Sequence, residues 1–234
     1  MLSKSLNGLY VGILALGIVA FLALLINFVI GDTGQQVLAL VENDKESGFA
    51  GEKPAEDPLK GETAWGFQVA KVMYLAFPNA DIALITGSEL LSISPYVAEG
   101  DPIPWEKLRS LDIVLAEIKG EELISAVASS VKLHPRKNTN FLQIFGAKVL
   151  CVRMEDVTKV SRITIDDKVV VPDKIYRVVM TKFLAEGGGP FVGAKSIKVI
   201  SEPVSLQLEL RKRLFPYGRV QKPEPVYFFS KPED

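Results

Sequence analysis

The 234-residue sequence is poor in the side chains that usually carry chemistry. It has one cysteine, Cys151, and one histidine, His134. A lone thiol excludes an internal disulfide and a cysteine-based metal cluster, and Cys151 reads as a small buried apolar residue. A lone imidazole cannot build the multi-ligand centres on which zinc, iron and manganese hydrolases draw. No metal ligand, catalytic residue or cofactor is therefore assigned. A charge excess is also lacking: 27 Lys+Arg stand against 28 Asp+Glu, a net charge of −1. A nucleic-acid partner, which favours a basic surface, is not expected. There is no P-loop, no G-x-G-x-x-G fingerprint and no G-x-S-x-G elbow. A Ser–His–Asp triad would have to use His134, which lies in the basic stretch Leu133-His134-Pro135-Arg136-Lys137-Asn138 and reads as a solvated loop.

What the chain does have is one long apolar run. Leu9 to Ile30 carries no charge, and only Asn27 is strongly polar. About 20 apolar residues suffice for a helix to cross the hydrocarbon core. The run exceeds the roughly 7–15 residues of a signal-peptide core and is followed by no clean small-residue cleavage site, so it is read as an uncleaved anchor. Lys4 precedes it, while Asp32, Glu42, Asp44 and Glu46 follow with Lys45. That asymmetry places the N-terminus in the cytoplasm and the remainder in a periplasmic or extracytoplasmic space. Asn43 to Lys60, NDKESGFAGEKPAEDPLK, is charged and has no apolar period, which marks a linker.

Beyond it, helices and strands are mixed, so the fold class is α/β (mixed α+β). Thr63 caps a predicted helix running to Phe77, with Trp65, Val69, Val72, Met73 and Ala76 on one face. Asp81–Thr86 reads as a buried strand ending at Gly87. A short helix is expected from Trp105 to Arg109, a strand over Ile113–Lys119 and a helix over Glu121–Val131. A strand follows over Phe141–Val149. A hairpin turns at Asp166-Asp167-Lys168. Tyr176–Thr181 is a strand entering the loop Gly187-Gly188-Gly189, whose amides could meet an anion or form a plain tight turn. Ser205–Arg213 reads as a helix with a basic end, Arg211-Lys212-Arg213, which with Arg219 could touch anionic lipid, a carboxylate-rich partner or only solvent. The Pro- and aromatic-rich tail ends in Tyr227, Phe228 and Phe229, which either pack back on the domain or dock on a protein partner. The expected division is a membrane anchor over 1–31, a linker over 32–60, a domain over 61–200 and a helix with its tail over 201–234.

Five phrases in order resemble one known domain. They are Gly61-Glu62-Thr63-Ala64-Trp65-Gly66 with Val69-Ala70 and Met73; Asp81–Thr86; Glu117-Ile118-Lys119-Gly120-Glu121-Glu122-Leu123; Phe141-Leu142-Gln143-Ile144 with Gly146; and Pro172–Val178 followed by Thr181, Phe183-Leu184-Ala185 and Gly187-Gly188. Together, over residues 61–196, they resemble the C-terminal domain of the 5′-nucleotidase family. The resemblance implies a nucleotide-binding fold in which two rings, by position Phe141 and Phe183, sandwich a purine. It places Gln143 where a polar side chain reads the base, beside Gly187 and Gly188.

Several departures accompany it. The turn after Thr86 reads Gly87-Ser88-Glu89-Leu90-Leu91, without the phosphate-binding Arg and with an added acid that would repel phosphate. Gly189 stands where the family has a ribose-binding Asp. Phe67 and Lys71 replace an Asn and an Asp, and no Pro-Phe pair occurs near Ser110-Leu111. An anchor and linker occupy the place of the family's two-metal catalytic domain. The expectation is a non-catalytic, membrane-anchored nucleotidase-like domain serving as an accessory subunit of a larger membrane complex. The alternatives are an extracytoplasmic binder of a purine nucleoside or base, and a hydrolase component that takes its catalytic domain from another chain.

Overall fold

Three strands buried on both faces set the architecture. In Ile82–Thr86 (β2), every residue is buried. Its side chains alternate between two apolar clusters: Ile82 and Leu84 enter one, Ala83 and Ile85 the other. Asp112–Lys119 (β3) and Ile175–Thr181 (β8) divide in the same way, as the two-residue period of a strand requires. A sheet with two apolar faces needs a cover on each. In the computed structural model, which describes residues 49–51, 54–215 and 218–230, each face has one.

One face is covered by the helices Ala64–Ala76 (α1) and Leu206–Leu214 (α5). Trp65, Val69, Val72 and Met73 of α1 join Leu206 and Leu210 of α5 in that cluster. The other face carries helix Gly120–Val131 (α3) and a second sheet. The first sheet runs β10-β3-β8-β2-β4, with β4 at Leu142–Phe145 and β10 at Val204–Ser205. Lys198–Val199 (β9) also pairs with β3. The second sheet runs β1-β11-β5-β6-β7, formed by Phe49–Gly51 (β1), Tyr227–Ser230 (β11), Lys148–Arg153 (β5), Thr158–Ile165 (β6) and Lys168–Val169 (β7). Short helices Gly87–Ile93 (α2) and Lys182–Ala185 (α4) follow β2 and β8 directly.

Several expectations are met residue by residue. Thr63 caps α1, its hydroxyl accepting from the Gly66 N–H at 2.9 Å. The β6–β7 turn falls on Asp166 and Asp167, both in the left-handed region at φ 50° and 58°, a conformation Asp tolerates.

Others are corrected. The strand expected over Phe141–Val149 divides into β4 and β5, which lie in different sheets. Gly146, at φ 95° between them, turns the chain. Gly87–Leu91 is not a turn but the start of α2. Trp105–Arg109 opens as a turn rather than a helix, its chain held by bonds from the neighbouring helix, Arg211 Nη2 to Trp105 O and Gln207 Nε2 to Leu108 O. The downstream end of the expected linker belongs to the fold. Leu59 O accepts from Asn138 N at 2.6 Å, Ala55 N donates to Glu62 O at 2.6 Å, and β1 pairs with β11. His134 is not solvated: it is 6% exposed and stacks on Phe229 at 4.4 Å between centroids. The anchor expected between Leu9 and Ile30 lies outside the described residues. Among the described residues, no helix is long and apolar enough to cross a membrane.

Candidate nucleotide-type site and its internal ligands

β2 and β8 are parallel neighbours, with Ile82 opposite Val178 and Ala83 opposite Val179. Each ends in a threonine that caps the following helix: Thr86 accepts from Glu89 N, and Thr181 from Leu184 N. Two helix starts are thus brought side by side. Between them lies Glu89, 9% exposed. Its Oε2 accepts from the Thr86 hydroxyl at 2.8 Å and from the Thr86 N–H at 3.3 Å. Its Oε1 accepts from the Thr181 hydroxyl at 2.5 Å. A carboxylate at a helix start is favourably placed, and this one ties α2 to α4. The acid that departs from the family's turn is turned inward and used by the fold. Sequence reasoning noted Glu89 but missed this role. The signal was present, since Thr-x-x-Glu ahead of an apolar run is a capping box.

Gln143 has a comparable fate. It lies on β4 opposite Ile85 and is fully buried. Its Oε1 accepts from the Thr63 N–H at 2.8 Å and the Thr63 hydroxyl at 3.2 Å. Its Nε2 donates to Gly61 O at 2.9 Å and to Pro58 O at 3.2 Å. All four contacts fasten the segment that leads into α1. The side chain also explains a glycine in that helix: a Cβ on Gly66 would come within 2.1 Å of Gln143 Oε1.

The two rings assigned by resemblance are separated in character. Phe141 is 1% exposed, with Tyr227 at 5.1 Å and His134 at 5.9 Å between centroids. It is a core residue. Phe183 is 55% exposed and lies over Gly188, where a Cβ would come within 2.4 Å of its ring. Among the described residues, no ring contact joins Phe141 to Phe183. Gly187, at φ 85°, donates its N–H to Leu184 O, and Gly188 donates to Phe183 O, both at 3.0 Å. These amides are used to close the end of α4. Two cavities, of about 280 and 610 Å³, open elsewhere, and none of Phe141, Gln143, Phe183, Gly187 or Gly188 lines either one.

Of the two alternatives for the tail, Tyr227 and Phe229 take the first and pack back on the domain. Tyr227 and Phe229 are 2% and 6% exposed. β11 inserts between β1 and β5, pairing Tyr227 with Val149 and Phe229 with Cys151. The Tyr227 hydroxyl donates to Leu142 O at 2.8 Å, and burial pushes its pKa well above that of a free tyrosine. Phe228, on the strand's other face, is half-buried. Beside the tail, Glu62 Oε2 accepts from Val226 N at 3.0 Å, while its shielded Oε1 has no hydrogen-bond partner. Burial raises this carboxyl to about 7, against the opposing effect of the Val226 and Tyr227 amides. Among the described residues, no group of three or more His, Cys, Asp and Glu side chains is arranged to hold a metal ion.

The order of elements and the positions of Thr86, Gln143 and the glycine loop now meet a comparison. The model of the 5′-nucleotidase, C-terminal domain matches residues 51–195. The chain belongs to that family. The solved 5′-nucleotidase precursor of Thermus thermophilus superposes with a TM-score of 0.60 at 18% identity, over 88% of this chain and 44% of that one. The NAD nucleotidase of Haemophilus influenzae superposes with a TM-score of 0.53 at 8% identity, over 87% of this chain and 40% of that one. At these identities the likeness is one of fold. The chain spans about two fifths of the length of these structures, and the match covers only the C-terminal part of the 5′-nucleotidases. No curated protein sequence matches the chain.

Proposed function

We propose that this chain is a non-catalytic, membrane-anchored member of the 5′-nucleotidase C-terminal domain family, and that it serves as an accessory subunit of an extracytoplasmic membrane complex. The observation that carries the proposal is the internal use of the residues in the ligand positions. Glu89 satisfies the starts of α2 and α4, Gln143 is saturated by Pro58, Gly61 and Thr63, and Phe141 is core. Side chains spent in this way hold a scaffold together, and a scaffold contributes through its surface. The apolar run Leu9–Ile30 supplies attachment to a bilayer.

A second reading has one observation in its favour. Phe183 keeps an exposed ring over the glycine loop, a stacking platform for a purine nucleoside or base. The two readings separate in one experiment. The full chain in mild detergent is titrated with adenosine, adenine and AMP, using calorimetry and thermal shift, with Phe183→Ala as the control. The accessory reading expects no saturable binding up to about 1 mM, an affinity of about −4 kcal/mol. Saturable binding that disappears in Phe183→Ala would replace it with the binder.

A further inference from the structure

Helix α5 has an outward face that the domain does not use. Leu206 and Leu210 are buried against α1 and the first sheet. On the opposite side, Leu208, Arg211, Lys212 and Phe215 follow one another at spacings of three, one and three residues, which brings them onto a single face. Leu208 is 63% exposed and Phe215 56% exposed. Two apolar side chains are thus held in water with a cation on either flank.

A loop widens this face. Trp105 meets Phe215 edge-on at 5.5 Å, and the Arg211 guanidinium lies 5.9 Å from the Trp105 ring. Arg211 Nη2 donates to Trp105 O at 2.9 Å and Gln207 Nε2 to Leu108 O at 2.7 Å. These bonds fix the loop beside the helix and bring exposed Lys107 and Arg109 alongside. The 610 Å³ cavity has Lys107 and Arg109 on its wall and room for a lipid headgroup. Lys107, Arg109, Arg211 and Lys212 are opposed on this surface by Glu106. Glu209, on the flank, is engaged by Lys212 at 3.6 Å and Arg213 at 3.0 Å. The whole chain has a net charge of −1, so this is a local concentration of positive charge.

The geometry points to a docking surface for an anionic lipid bilayer, with Trp105, Leu208 and Phe215 at the headgroup boundary and Lys107, Arg109, Arg211 and Lys212 against the phosphates. A half-buried Trp beside exposed Phe and Leu, flanked by Lys and Arg, suits the interface of a membrane. A carboxylate-rich protein would engage the cations but leave the apolar stripe in water. The surface gains most if Leu9–Ile30 is an anchor, and for that proximity it rests on the functional reading above. The 18 residues from Gly31 to Gly48 span at most about 60 Å when extended, so the anchor keeps the domain within reach of the bilayer.

The chain carries its own probe. Its two tryptophans are Trp65, 1% exposed in the core, and Trp105, half-buried on this face. The full chain is reconstituted into vesicles of phosphatidylcholine with phosphatidylglycerol, or of phosphatidylcholine alone, using acyl chains brominated near the headgroup. Emission from the wild-type chain is compared with that of Trp105→Phe. Quenching of the Trp105 component in anionic vesicles, lost in high salt and in neutral vesicles, is the expected result. Each cation next to an anionic leaflet strengthens contact about five-fold, so Lys107→Gln with Lys212→Gln lowers the equilibrium constant for surface contact about 25-fold. Leu208→Gln, also fully outside the core, weakens quenching as well. No quenching of Trp105 in anionic vesicles, or equal quenching in neutral ones, overturns the inference. Flotation of the same vesicles in alkaline carbonate reports the anchor separately. A chain that fails to float there but is still quenched in anionic vesicles keeps this surface and loses the anchor.

Discussion

Replacing Gln143 with leucine separates a structural clamp from a base reader. In the structure, the amide closes four hydrogen bonds in a fully buried position. Leucine has a similar volume and no polar atoms, so it leaves Pro58 O, Gly61 O and the Thr63 N–H without their partner. Each stranded buried group costs about 1–3 kcal/mol, and the apolar replacement returns part of that. A net loss of about 3–4 kcal/mol is expected. For a domain of this size, unfolding by urea has a slope near 2 kcal/mol per molar, so the midpoint falls by about 1.5–2 M. Gly66→Ala supplies the partner test. Its Cβ would meet Gln143 Oε1 at 2.1 Å, so combining Gly66→Ala with Gln143→Ala should cost less than the sum of the two single changes. A loss below about 1 kcal/mol for Gln143→Leu, or strict additivity in that pair, would refute the clamp.

Three further outcomes follow from the same geometry. Glu62 is raised from 4.5 to about 7 in the fold. Below 4.5 it is protonated in both states, and from there to about 7 the folded state holds the proton that the unfolded chain gives up. Its effect is therefore a loss of stability with rising pH, largest above 7 and at most about 3 kcal/mol. Glu62→Gln should flatten melting temperature against pH across 5–8 and stabilise the chain at pH 8; an unchanged pH profile contradicts the buried-carboxyl account. Glu89→Ala removes the carboxylate that accepts from the Thr86 and Thr181 hydroxyls and loosens two helix starts, with an expected cost of about 2–3 kcal/mol by chemical denaturation; a neutral result would remove its bridging role. Phe141→Ala should cost about 3–5 kcal/mol as a core truncation, whereas exposed Phe183→Ala should cost less than about 1; equal costs would reverse their assignment.

The parts of this fold legible in the sequence are those whose cause is local. Thr63 caps its helix through its own hydroxyl, the alternation in β2 follows from its apolar run, and Asp166-Asp167 sets its hairpin. What escaped depends on distant partners. β11 is short and flanked by prolines, and it becomes a strand because β5, 78 positions earlier at Val149 and Tyr227, offers an unfilled edge. Phe141–Val149 looks continuous because Gly146 alone carries no sign of which sheet each half will join. The same limit governs the site. The family positions are visible in order, but the partners that saturate Gln143 lie 80 to 85 residues upstream and leave no local sign. Phe141 packs on Tyr227, 86 positions later, a contact that leaves no local sign in the sequence.

The most direct measurement of the accessory role is purification of the chain at its native level, from its own membrane, in mild detergent, followed by mass analysis of what accompanies it. The accessory role predicts a reproducible set of subunits in fixed stoichiometry, retained through size exclusion and present when Phe183 is alanine. A chain that emerges alone, with saturable nucleoside binding or nucleotide hydrolysis of its own, would contradict it.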